Sequence, residues 1–236
     1  MNPSFDYYWW RAVSAAYILR PNIPTLKKLE SLRALPLQPQ EDYLSMYVRR
    51  GDKHVEMKLV DLKEFWSAAA LVQIELMKIR GQAGGQEKQD NTPTTNSTAA
   101  TPILFIASES PSVIEQGEQW GKISGWRVLY TSLFDREKVS AHLDHKALKV
   151  LRKSFAVVHH DLEYLSMLLT LDYATRSQGW VCTLASNYCR VIDELRATVG
   201  GKTNFPFADL SKETCGSPPC INNYNITSFD WRMRLR

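Results

Sequence analysis

Several signatures that settle a function at a glance are missing from these 236 residues. There is no G-x-G-x-x-G and no P-loop, so the glycine-rich ways of cradling a phosphate are excluded. No G-x-S-x-G elbow occurs, which leaves serine-hydrolase chemistry without an anchor. A D-x-D metal motif is also absent, and no metal site is expected. The four cysteines, Cys182, Cys189, Cys215 and Cys220, include no C-x-x-C pair, which argues against zinc. No stretch is apolar over the ~20 residues a helix needs to cross a bilayer. The net charge is only +4, too small to point to nucleic acid.

What is there reads as a folded protein. Hydrophobic residues make up 44% and charged residues 23%, an ordinary globular balance, and the length suffices for one good-sized domain. The cysteines fall in two close pairs, which fits two small disulfide loops; four buried thiols in a cytosolic protein is the alternative. Two sequons, Asn96-Ser97-Thr98 and Asn225-Ile226-Thr227, favour the oxidising lumen of the secretory pathway, where disulfides persist. Met1 to Arg20 carries Asp6 and Arg11 among its aromatics and is expected to be an amphipathic helix ending near Pro21, not a signal or anchor. A lumenal protein would then carry that signal or anchor upstream of Met1. Residues 1–40 form a helical lead-in, and the Trp9-Trp10 pair is expected to pack in the core.

From Tyr43 onwards, strands and helices alternate. Tyr43–Val48 is apolar and rich in β-formers, and it runs into a charged loop, Arg49–Lys58. Leu62, Phe65, Trp66, Ala69, Val72, Leu76 and Ile79 recur at helical spacing up to Gly81. Residues 82–101 are low-complexity and read as a solvated inserted loop. Ile103–Ala107 is a second strand, Pro111 opens a helix, and Trp126–Tyr130 is a third strand. A long helical region covers about Arg136 to Arg176, broken near His159-His160-Asp161. Trp180–Leu184 reads as the last strand, turning at Ala185-Ser186-Asn187 into a helix whose Tyr188, Val191, Ile192, Leu195 and Val199 share a face. Gly200-Gly201 stops that helix, and residues 201–236 read as an irregular tail with a tight bend at Cys215–Cys220. The pattern predicts an α/β fold: a Rossmann-like parallel sheet with helices on both faces, over residues 41–200. Such sheets bind ligands beyond the carboxyl ends of their strands, which here means Arg49–Glu56, Ser108–Ser110 and Ser186-Asn187.

The strongest local signal is Tyr47-Val48-Arg49-Arg50-Gly51-Asp52-Lys53-His54-Val55-Glu56. Arginine forks match phosphate oxygens two at a time, and fixed cations stabilise a departing diphosphate without a metal. Asp52 is placed to hold one arginine, and Glu56 is suited to take a proton from an acceptor hydroxyl. A solvated basic turn is the plain alternative. Ser186-Asn187 offers the amides of a helix amino terminus and a hydroxyl to a phosphate, or else a simple N-cap. Glu109 is suited to a ribose or sugar hydroxyl, or is surface charge.

These segments resemble α-1,6-fucosyltransferases of glycosyltransferase family 23. Trp9-Trp10 through Arg20-Pro21 resembles the family's W-W…Y-x-x-R-P, and Tyr47–Lys53 its H-V-R-R-x-D-K. Leu104–Ser112 resembles V-Y-L-A-T-D-D-P-S, and Val181–Arg190 resembles V-C-T-F-S-S-Q-V-C-R. The resemblance implies inverting, metal-independent transfer of fucose from GDP-fucose, in the nucleotide-binding half of a GT-B-like arrangement, to the innermost GlcNAc of N-glycans. It implies Arg49 at the β-phosphate, Ser186 and Asn187 near the phosphates, and Lys53 and Glu56 at the acceptor hydroxyl. It pairs Cys182 with Cys189, and it places Asp161, or alternatively Asp172, at the guanine. Tyr47 stands where the family has a base-contacting histidine, and Glu109-Ser110 where it has paired aspartates. The family's upstream acceptor-side half has no counterpart in this sequence. A different glycan or protein acceptor, and a nucleotide-sugar-binding module without turnover, are the competing expectations. Cofactors are expected to be none; the partners are GDP-fucose and a glycan or glycoprotein in the Golgi or another secretory lumen.

Overall fold

The computed structural model describes residues 3–33, 41–50, 59–84, 101–131, 164–211 and 219–222. Two helices lead in, α1 (Pro3–Ile18) and α2 (Ile23–Leu32), the second capped by the Asn22 side chain, which accepts from the Thr25 amide at 2.9 Å. The alternating part then runs β1 (Leu44–Tyr47), α3 (Leu62–Gly84), β2 (Ile103–Ala107), α4 (Pro111–Ser124) and β3 (Arg127–Leu129). Residues 164–176 form helix α5, followed by β4 (Gly179–Cys182), α6 (Asn187–Thr198), β5 (Phe207–Asp209) and β6 (Cys220–Asn222). Among the described residues, no helix is long and apolar enough to cross a membrane.

The six strands make one sheet in the order β3-β2-β1-β4-β5-β6. Every pairing is parallel except β5 with β6. Strand alternation sorts the core into two halves. Tyr43, Phe105, Trp180 and Phe207 point to one face and pack with α5 and α6. Leu44, Met46, Leu104, Ile106 and Val181 point to the other and pack with α3 and with Val113 of α4. The central strands are buried on both sides, which is why they read as unbroken apolar runs.

Three expectations change. The tail is not all irregular: Phe207–Asp209 and Cys220–Asn222 extend the sheet past β4, the second of them antiparallel. Strands of three residues fall below what periodicity can register. Trp10 is not core but 68% exposed, because Tyr8 and Ala12 carry the face of α1 that packs on α6, and residue 10 lies on the opposite side. Val199 is exposed for a related reason: it is the cap beyond the last turn of α6. The stretch 85–100 with its sequon, the region 136–163 with His159 and His160, and the Asn225 sequon lie outside the described residues.

Sequence reading also passed over Arg196, whose side chain is fully buried. Its Nη1 donates to Ala174 O at 2.8 Å, Ser177 O at 2.7 Å and Ser177 Oγ at 2.7 Å. It thereby holds the end of α5 and the entry to β4 against α6. Arg196→Leu would strand those acceptors in the core. The expected cost is about 3 kcal/mol, seen as a thermal midpoint lowered by roughly 6–12 °C in a melt of the variant.

Candidate functional site

β1 sits between β2 and β4. From β1 the chain crosses over α3 to β2 and over α4 to β3; it then returns to the other side of β1 and continues outward through β4 and β5. The direction of winding thus reverses between β1 and β4, and the crevice beyond the carboxyl ends of those two strands is where a doubly wound sheet takes its ligand. Arg49, Arg50, Glu109, Ser186 and Asn187 all lie in the segments that follow β1, β2 and β4.

On the β1–β2 side, pairing runs on past the strand, with Val48 N donating to Ala107 O at 2.9 Å. Glu109 then ties the two loops together. Its Oε1 accepts from the Arg50 amide at 2.8 Å and from Arg49 Nη1 at 3.0 Å, and its Oε2 is buried with no hydrogen-bond partner among the described residues. Glu109 therefore holds Arg49 in place; Asp52, which the sequence also placed to hold one arginine, lies outside the described residues. Ser108 Oγ donates to Val48 O at 2.7 Å, and Ser110 Oγ pairs with Ser112 Oγ at 2.8 Å. The strand's alternation separates the two arginines. Tyr47 packs with the α5–α6 half and Val48 with the α3–α4 half. Arg50 follows Val48 and lines a pocket between the starts of α3 and α4, which Arg49 does not line. Burial works against the charge of Arg50, while the carboxylates of Asp61 and then Glu109 support it.

The β4–α6 turn is held from four directions. A disulfide joins Cys182, at the end of β4, to Cys189 in the first turn of α6, with Cα atoms 6.1 Å apart. Asp209 Oδ1, fixed by donors from Ser211, accepts from Leu184 N at 2.9 Å, and Ser211 Oγ accepts from Ala185 N at 3.3 Å. From the other side, Arg190 Nε donates to Leu184 O at 2.9 Å and Nη2 to Ala185 O at 3.2 Å. The Ser186 amide closes the turn onto Thr183 O at 2.9 Å. Ser186 occupies the N-cap position, but its buried side chain makes no capping bond. Among the described residues, nothing accepts from the Asn187 or Tyr188 amides, the first two of a 12-residue helix. Tyr188 also joins the two sides of the crevice: its ring lies 4.7 Å from that of Tyr47, and its hydroxyl donates to Met167 O at 3.1 Å. Burial pushes the Tyr188 phenol up, beyond the ordinary tyrosine range.

The structure thus brings Tyr47, Arg49, Arg50, Glu109, Ser186 and Asn187 to one end of the sheet. Asp52, Lys53, Glu56 and Asp161 lie outside the described residues. Asp172 does not stand in for Asp161 there. It sits on the last turns of α5, at the end of the sheet where β1 and β4 begin, and is paired with Arg33 at 3.0 Å and Arg176 at 2.9 Å. Sequence reasoning missed Arg190, Asp209 and Ser211. The signal for the last two was a buried-strand run, Pro206-Phe207-Ala208, ending directly in acceptor residues.

No protein-family model and no curated protein matches the sequence. Among solved structures, NodZ α-1,6-fucosyltransferase soaked with GDP-fucose is similar over 87% of this chain and 50% of its own, at 11% identity and a TM-score of 0.42. POFUT1 in complex with GDP-fucose is similar over 75% of this chain and 43% of its own, at 10% identity and a TM-score of 0.36. The chain spans half or less of the length of these two proteins.

The clamp on the β4–α6 turn can be tested by itself. Asp209→Ala leaves the Leu184 and Ser211 amides without their buried acceptor. Urea unfolding should show a loss of about 2–4 kcal/mol. Asp209→Asn, which keeps an oxygen at that place, should cost clearly less.

Proposed function

We propose that this chain is a glycosyltransferase domain that moves fucose from GDP-fucose to a glycan hydroxyl. The observation that carries the proposal is the crevice at the winding reversal. Arg49 leaves the end of β1 there, opposite a turn that offers the amides of Asn187 and Tyr188, which have no acceptor among the described residues. A guanidinium and a helix amino terminus converging on one crevice are what a diphosphate needs in the absence of a glycine-rich loop. The motifs at Tyr47–Lys53 and Val181–Arg190 supply the sugar and the nucleotide to this reading.

In the proposed reaction, the acceptor oxygen attacks C1 of fucose from the face opposite the diphosphate. The C1–O bond breaks, its electrons leave with the β-phosphate, and Glu56 takes the acceptor's proton. Arg49 and the α6 amides hold the negative charge that develops on GDP, so the reaction is proposed to need no divalent cation. Arg50 supports the same loop, Asp52 and Glu109 position the cations, and Lys53 sits by the acceptor. Tyr47 and Asp161 are assigned to the base, and Ser186 to the phosphates. The acceptor proposed is the innermost GlcNAc of an N-glycan, through an α-1,6 linkage, in the lumen of the Golgi or another secretory compartment. The Cys182–Cys189 bond suits that setting.

Binding without turnover is the second reading. It is favoured by Glu109, which occupies Arg49 and would have to yield it to a phosphate. Calorimetric titration with GDP in the presence of EDTA tests the shared part. Binding is expected, and Arg49→Ala should weaken it roughly tenfold to a hundredfold, as loss of charge-assisted hydrogen bonds does. An unchanged affinity in Arg49→Ala would remove that residue from the phosphate site. Glu56→Gln separates the two readings. It should keep GDP affinity and lower transfer from labelled GDP-fucose by about 10²–10⁴-fold; a chain with no transfer to lose would be the binding module.

A further inference from the structure

The pocket that Arg50 enters lies across the sheet from Tyr47 and Tyr188, between the amino ends of α3 and α4. Its volume is about 320 Å³, at the small end of ligand cavities. Leu62 and Val113 form part of an apolar wall, and Arg50, Asp61, Ser112 and Gln116 supply the polar groups. Ser112 and Gln116 are four residues apart on α4, so they share a face.

These polar groups have bonding capacity left over, with the Ser112 hydroxyl sharing one hydrogen bond with Ser110 Oγ at 2.8 Å. Among the described residues the Arg50 guanidinium makes one hydrogen bond, Nη1 to Arg49 O at 3.2 Å, out of the five N–H donors a guanidinium carries. Asp61 uses Oδ1 to accept from the Lys63 amide at 2.8 Å, and Oδ2 has no partner among the described residues. The Gln116 amide makes no hydrogen bond to a described residue. The pocket thus presents a group that only donates, one that only accepts, and two that do both, beside apolar carbon.

Charge narrows the ligand class. An anion would meet Asp61, a cation would meet Arg50, and an apolar ligand would strip water from both. A neutral sugar ring fits, because each hydroxyl both donates and accepts and the ring carries a C–H face. We propose that this pocket binds a neutral pyranose ring of the acceptor glycan. Arg49 and Arg50 are adjacent residues, ~3.8 Å apart at Cα, so the pocket and the proposed phosphate site share one stretch of backbone while their side chains diverge to opposite faces of the sheet. The ring's role as acceptor rests on the transferase reading; its seat in the pocket does not.

Saturation-transfer NMR on the whole chain tests this, with the methyl glycosides of N-acetylglucosamine and galactose as probes. At least one should show transfer, both with and without GDP. Gln116→Ala and Ser112→Ala change exposed side chains and should leave the fold and GDP affinity intact. Each should weaken the sugar about fivefold, the worth of one hydrogen bond. No transfer from either glycoside, full retention in both variants, or displacement of the sugar by inorganic phosphate would overturn the assignment. Sugar binding in a chain that does not bind GDP would sink the transferase reading and leave the pocket standing. GDP binding without sugar binding would do the reverse.

Discussion

β1 is hydrogen-bonded on both sides, to β2 through Leu44–Tyr47 and to β4 through Leu44–Met46, and both neighbours run parallel to it. Parallel neighbours cannot be reached by a hairpin, so the chain has to cross over a helix each time. With β2 and β4 on opposite sides, successive crossovers lead away from β1 in opposite directions. That one arrangement puts α3 and α4 on one face and α5 and α6 on the other. Among the described strands, it also makes the loop after β1 the only one flanked by the loops of two neighbouring parallel strands that the chain reaches in opposite directions. The position of the crevice follows from strand order before any side chain is considered.

The same strand explains why two consecutive arginines do different work. A pleated strand sends alternate residues to opposite faces, and the pairing of Val48 with Ala107 carries that alternation beyond the last residue of β1. Arg49 and Arg50 look like a single basic cluster in one dimension. In the fold, one is held by Glu109 and the other enters a separate pocket. Glu109 receives both the Arg49 side chain and the Arg50 amide, so one carboxylate fixes the point where the two diverge.

Much of this was legible in the sequence. Buried parallel strands such as Ile103–Ala107 carry their apolar run without interruption, and Pro111 opens α4 as a favoured first-turn residue should. The placement of Arg49, Glu109 and Ser186-Asn187 at strand ends followed from those strands. Residues whose partners are distant in sequence stayed hidden. Asp209 reaches Leu184 across 25 residues and Arg196 reaches Ala174 across 22, and no local spacing encodes either meeting. Trp10 misled because an aromatic pair says how much surface there is to bury, while the helix's orientation on α6 decides which of the two is covered.

The β4–α6 turn has its amides held by Asp209 and Ser211, its carbonyls by Arg190, and its two ends joined covalently. A loop that closes on its ligand gives up conformational freedom at the moment of binding, which subtracts from affinity. Here that freedom was already given up when the chain folded. The amides of Asn187 and Tyr188, which follow that turn, are held at the end of the sheet by the fold itself. A ligand of the kind proposed for this end of the sheet would therefore meet a standing surface, whose entropy was settled in folding.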